Sequence, residues 1–179
     1  MPLLAVTTVG TDRPGIVAAV TRVLHERGGN LEDSAMTILG GHFAIVLLVR
    51  TDDRAEALRD ALADATGGFG LSISVTEVAG DRAIVEPTHL LSVYGADRPG
   101  IVAGVTAALA EVGANITDLE TTVIGGARDG GGGDDGEPVY AMVMELEAED
   151  EAALAAGLDE ACGQLGVDHT LRTIDAETY

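Results

Sequence analysis

Apolar and polar positions along this chain change period in a fixed order. In "LLAVTTV", residues 3–9, apolar and β-branched residues predict a strand. In "PGIVAAVTRVLHER", residues 14–27, Ile16, Val17, Val20, Val23 and Leu24 share one face at helical spacing. Pro14 suits the first helical position there, and Gly28-Gly29 suits the stop. "NLEDSAMTIL", 30–39, and "HFAIVLLVR", 42–50, read as strands around a Gly40-Gly41 hairpin turn. "RAEALRDALADA", 54–65, predicts a second amphipathic helix, and "LSISVTEV", 71–78, a last alternating strand.

The order then returns. Residues 10–41 and 95–126 align without a gap at an offset of 85, with 18 of 32 positions identical. The second copy predicts a strand at 88–94, a helix at 99–112, strands at 115–124 and 139–147, a helix at 150–164 and a strand at 167–174. The order β-α-β-β-α-β, twice, places the chain in the α+β class. It predicts two ferredoxin-like units, each an antiparallel sheet with both helices on one face. The units span residues 1–79 and 88–179, joined by a linker at 80–87. In the second copy "GGARDGGGGDDGE", 125–137, replaces the two-glycine turn and reads as a flexible hairpin tip. Its "GGGDDG" matches a dinucleotide-binding fingerprint by letters alone: it opens no helix, and its acids would repel a pyrophosphate. Phe43–Val49 is apolar at nearly every position, where a strand with one wet face would alternate. The sheet face away from the helices is therefore expected to be covered too: the two repeats of one chain could pair edge to edge, and a second copy, in a homodimer, would cover the open face.

Composition narrows the function. Ten basic residues, all Arg, against thirty acidic ones leave a net charge of −20. Such a surface repels phosphate backbones and anionic lipid, so direct nucleic-acid or membrane binding is not expected. The longest apolar run is too short to span a bilayer, and the N-terminus lacks the basic start of a secretory signal. Cys162 is the single cysteine and follows Leu154 and Leu158 at helical spacing. It reads as a core residue, in a chain suited to a reducing cytoplasm. His25, His42, His89 and His169 show no metal-ligand spacing, and no nucleophile motif or cofactor loop occurs. The expectation is a protein with no catalytic residues, no metal and no cofactor.

The repeated turn carries the candidate chemistry. "GTDRPGIV", 10–17, returns as "GADRPGIV", 95–102. Free N–H groups of Gly15, Ile16 and Val17 at a helix N-terminus suit a carboxylate. Gly15 lets a ligand approach the backbone. Asp12 can accept from an ammonium group, and Asn30 can donate and accept. Together they match a zwitterion, and the spacing from Asp to Asn is the same in Asp97 and Asn115. The same residue types also suit an ordinary strand-to-helix turn. Arg13 and Arg98 likewise suit solvated or acid-paired roles.

"DRPGIVAAVTRVLHERGGNLEDS" and "DRPGIVAGVTAALAEVGANITDL" resemble the ACT domain, a small-molecule-binding βαββαβ module. Two such units with no catalytic domain resemble the family of glycine cleavage system transcriptional repressors. The resemblance implies amino-acid binding where two units meet, between the β1–α1 turn and the second strand. On matching positions it assigns Asp12, Arg13, Pro14, Gly15 and Ile16 with Asn30, Leu31 and Asp33 in the first copy. In the second it assigns Asp97, Arg98, Pro99, Gly100 and Ile101 with Asn115, Ile116 and Asp118. The function implied is a free-standing sensor of a small amino acid such as glycine or serine, signalling through a protein partner such as a transcription regulator or metabolic enzyme. The alternative is a ligand-free interaction module.

Overall fold

A computed structural model describes residues 1–80, 85–124 and 138–174. The chain divides into two compact units, Met1–Ala83 and Ile84–Tyr179. The first contains β1 (Leu3–Thr11), α1 (Ile16–Glu26), β2 (Asn30–Leu39), β3 (His42–Arg50), α2 (Ala55–Thr66) and β4 (Ser72–Val78). The second contains β5 (His89–Ala96), α3 (Ile101–Glu111), β6 (Asn115–Ile124), β7 (Val139–Glu147), α4 (Glu151–Leu165) and β8 (Asp168–Thr173). Each unit is a four-stranded sheet, ordered β2-β3-β1-β4 and β6-β7-β5-β8. All strand pairs are antiparallel. The α+β, twice-repeated βαββαβ fold is therefore the one the hydrophobic pattern predicts.

Alternation builds each core. On β3, Phe43, Ile45, Leu47 and Val49 are buried, and they meet Val20, Val23 and Leu24 of α1 and Leu58 and Leu62 of α2. Each such burial removes roughly 1.5–3 kcal/mol worth of apolar surface from water. The opposite face of β3 is only half buried at Ala44 and Leu48, and Val46 remains 44% exposed. The second core repeats this with Tyr140, Met142, Met144 and Leu146 of β7. Cys162 belongs to that core, where burial, and secondarily the charge of Asp159, raise its thiol pKa.

The turn region differs from the sequence expectation. Pro14 is not the first helical residue: α1 starts at Ile16, with Gly15 as its N-cap at φ 95°. The same holds for Pro99 and Gly100, at φ 98°, before α3. A Pro followed by a positive-φ Gly is the order of a type II turn, so Pro-Gly here closes the turn and the helix begins after it. The C-terminal stop is as expected. Gly28 takes φ 69° and Gly29 N–H donates to Leu24 O at 2.8 Å, the Schellman closure. Gly113 and Ala114 N–H, on Leu109 O at 2.9 Å, repeat it.

A bulge follows the start of β2. The register with β3 shifts between Leu31 and Asp33, leaving Glu32 as the extra residue. In β6 the same shift leaves Thr117. Arg50 of β3 binds Glu32 through both carboxylate oxygens, at 2.5 and 3.0 Å. Of the linker read at 80–87, residues 81–84 lie outside the described residues, as does the hairpin tip read at 125–137.

Candidate functional site

The β1–α1 turn opens onto a groove of about 520 Å³ on the helix side of the first sheet. Asp12, Arg13, Pro14, Gly15 and Ile16 form one wall, and Val17, Ala18 and Thr21 of α1 continue it. Met36 and Ile38 of β2, with Phe43 of β3, form the floor. The groove exists because β2 is the edge strand. Its helix-side residues reach past the cover of the helices, and Met36 and Ile38 are 54% and 52% exposed.

Local geometry fixes the turn. Asp12 N–H donates to Gly41 O at 2.9 Å, tying the turn to the β2–β3 hairpin. Gly15 O accepts the first intrahelical bond, from Ala19 N–H at 2.9 Å. The N–H groups at the head of α1 are thus those of Ile16, Val17 and Ala18, one residue later than the Pro14 start implied. No side chain caps them. Such groups carry positive partial charge and favour an anion. α4 shows the contrast: Asp150 accepts from Ala153 N–H at 2.9 Å and closes that terminus. Arg13 makes no hydrogen bond or ion pair with the described residues. Asp12 and Arg13 are both exposed beside the groove.

The structure brings together Asp12, Arg13, Pro14, Gly15 and Ile16, and it separates them from Asn30, Leu31 and Asp33. Thr11 and Leu39 flank His42, whereas Leu3 and Asn30 flank Arg50. From His42 to Arg50 at about 3.4 Å per residue, the ends lie roughly 27 Å apart. Within one unit Asp12 and Asn30 therefore do not meet. Leu31 points to the helix side opposite Val49 and is 44% exposed. Asp33 lies beside Leu48 and accepts from the Ser34 N–H at 2.7 Å.

In the second unit the turn residues Asp97, Arg98, Pro99 and Gly100 are exposed, and Ile101 is a core residue. Arg98 is committed, donating to Gly166 O at 3.1 Å. Asn115 pairs with Glu147, Ile116 packs on the core opposite Leu146, and Asp118 faces Glu145. They too stand at the far end of their strand from Asp97.

Met36, Ile38 and Phe43 were not singled out from the sequence. The signal was present. A two-residue Gly40-Gly41 turn fixes the hairpin register and sets Ile38 opposite Phe43, with Met36 two residues away on the same face. Among the described residues no group of His, Cys, Asp or Glu could hold a metal ion, and no helix is long and apolar enough to cross a membrane.

Comparison with known proteins agrees with this architecture. The family model of the ACT domain matches residues 3–76 and 88–128. A UPF0237 protein from Methanopyrus kandleri is 40% identical over 78 residues, covering 42% of this chain and 87% of that one. The glycine cleavage system transcriptional repressor of Escherichia coli is 44% identical over 46 residues, covering 26% of this chain and 24% of that one. The matched part is thus about a quarter of that repressor. Among solved structures, an unknown protein from Galdieria sulphuraria superposes with a TM-score of 0.80 at 29% identity, covering 97% of this chain and 99% of that one. A candidate glycine cleavage system transcriptional repressor superposes at 0.72 and 20% identity, covering 97% and 98%, and shares the fold. With both repeats matched by the same model and each folded as βαββαβ, the chain belongs to the ACT domain family.

Proposed function

We propose that this protein is a cytoplasmic amino-acid sensor that binds a free α-amino acid at the β1–α1 turn and acts through a protein partner, without catalysis of its own. The observation that carries the reading is the groove. An uncapped helix head and Arg13 suit the α-carboxylate, Asp12 suits the ammonium, and an apolar floor suits a side chain. The one hydroxyl lining it, that of Thr21, donates to Val17 O at 2.9 Å, and Cys162 is buried in the other unit's core.

The separation of Asp12 from Asn30 gives the site its second half. β2 is exposed along its whole length and, among the described residues, has no strand paired on its outer side. Antiparallel pairing of β2 with β2 of a second copy carries Asn30 of each chain to the Leu39 end of the other. There it meets the turn of Asp12 and Gly15. A homodimer then completes the site and also buries the exposed edge.

A thermal-shift screen with the twenty amino acids tests the reading. A ligand at 100 times its dissociation constant stabilises by about 2.7 kcal/mol. Absence of any shift at millimolar concentration would favour the ligand-free interaction module instead.

A further inference from the structure

The two units share one frame around the turn and differ in its floor. Phe43 lies between Gly10 and Ile38 across the first sheet, and Tyr140 lies between Gly95 and Val123 across the second. Two residues further along the same face, Met36 pairs with Ile45 and Thr121 pairs with Met142. Where the first groove presents a ring, a thioether and a branched chain, the matching register positions of the second unit carry a phenol, a hydroxyl and Val123. The Tyr140 hydroxyl donates to Met142 Sδ at 3.7 Å. Burial raises its pKa, a hydrogen bond with Thr121 lowers it, and the charge of Asp97 raises it. The cations differ as well: Arg98 is held on the Gly166 carbonyl, whereas Arg13 has no partner among the described residues.

We propose that the two units select different side chains. The first takes an α-amino acid with a bulky apolar side chain, Phe43 and Met36 being the specificity residues. The second takes a hydroxyl-bearing amino acid through Tyr140 and Thr121. This rests on the reading that each turn binds an amino acid. Glycine would leave the exposed flanks of Met36 and Ile38 wet, while a branched or thioether side chain covers them. A ligand hydroxyl set against that floor would lose water and gain no partner. Against Thr121 and Tyr140 it can both donate and accept. Of the glycine or serine implied by the family resemblance, serine then fits the second unit.

Titration calorimetry on two full-length variants separates the units. Asp97→Ala/Asn115→Ala keeps the first turn, and Asp12→Ala/Asn30→Ala keeps the second. The first variant should bind leucine or methionine about tenfold tighter than serine, and the second should reverse the order. Phe43→Tyr/Met36→Thr imports a floor that this fold already carries, and should move the first turn toward serine and threonine. The same ranking at both turns, or no change on the swap, overturns the inference while amino-acid binding stands. Failure of wild type to bind any amino acid overturns the underlying reading and this inference with it.

Discussion

Asp12 and Asn30 stand at opposite ends of one sheet, Asp12 following the strand end beside His42 and Asn30 beside Arg50. No side-chain motion spans that length, so residues 18 apart in sequence can share a ligand only across two copies of the unit. Complementation tests this. In a background lacking Asp97 and Asn115, Asp12→Ala and Asn30→Ala should each abolish binding at the first turn. Mixing and exchanging the two chains should restore part of it, because a hybrid dimer carries one intact composite site. No recovery, with exchange confirmed by mass spectrometry, would mean that each chain binds by itself.

Thr8 offers a test of the core. It is fully buried, its hydroxyl has no hydrogen-bond partner among the described residues, and it faces Ile45 where Val93 of the other unit faces Met142. Thr8→Val removes an unpaired polar atom and keeps the shape, so it should stabilise the first unit by about 1 kcal/mol. Calorimetric melting would show it, and a loss of similar size would mean the hydroxyl is satisfied.

Gly15 and Gly100 hold the turn by conformation. A Cβ at Gly15 would meet only Phe69 Cζ, at 3.8 Å, and at Gly100 nothing within 4 Å. Positive φ is then the whole cost, and Gly→Ala at either should destabilise by about 1 kcal/mol, read from urea midpoints. A neutral result would show that the turn adopts another conformation in solution.

Acid should weaken the first unit through two ion pairs. Hydrogen bonding to Arg27 holds Asp53 below the usual carboxylate range, and Arg50 does the same for Glu32. A carboxylate with lowered folded pKa stabilises above its unfolded value and loses that contribution as pH falls through the folded one. The melting temperature should therefore drop below about pH 4, and more shallowly in Glu32→Gln. Both pairs are partly exposed, so added salt should shrink the difference. Equal acid slopes in wild type and variant would remove Glu32 from the account.

The elements were legible because period-2 and helical patterns occur twice in the same order. Gly28-Gly29 and Gly40-Gly41 announced their turns correctly. The start of α1 was misread because Pro at a first helical position and Pro before a positive-φ Gly look alike until the backbone is seen. The bulge at Glu32 left no mark in the alternation of β2, whose ten residues are all exposed. The turn wall of the groove was marked by its residue types. Its floor at Met36, Ile38 and Phe43 depended on the hairpin register and on β2 being an edge.

The central claim is that the repeated turn binds a free amino acid. Titration calorimetry of the intact protein with the amino acid that shifts its melting most, beside Asp12→Ala/Asp97→Ala, tests it most directly. Saturable binding by the wild type and none by the folded double variant is the predicted result. Binding that survives in the double variant, or no binding by the wild type, would contradict it.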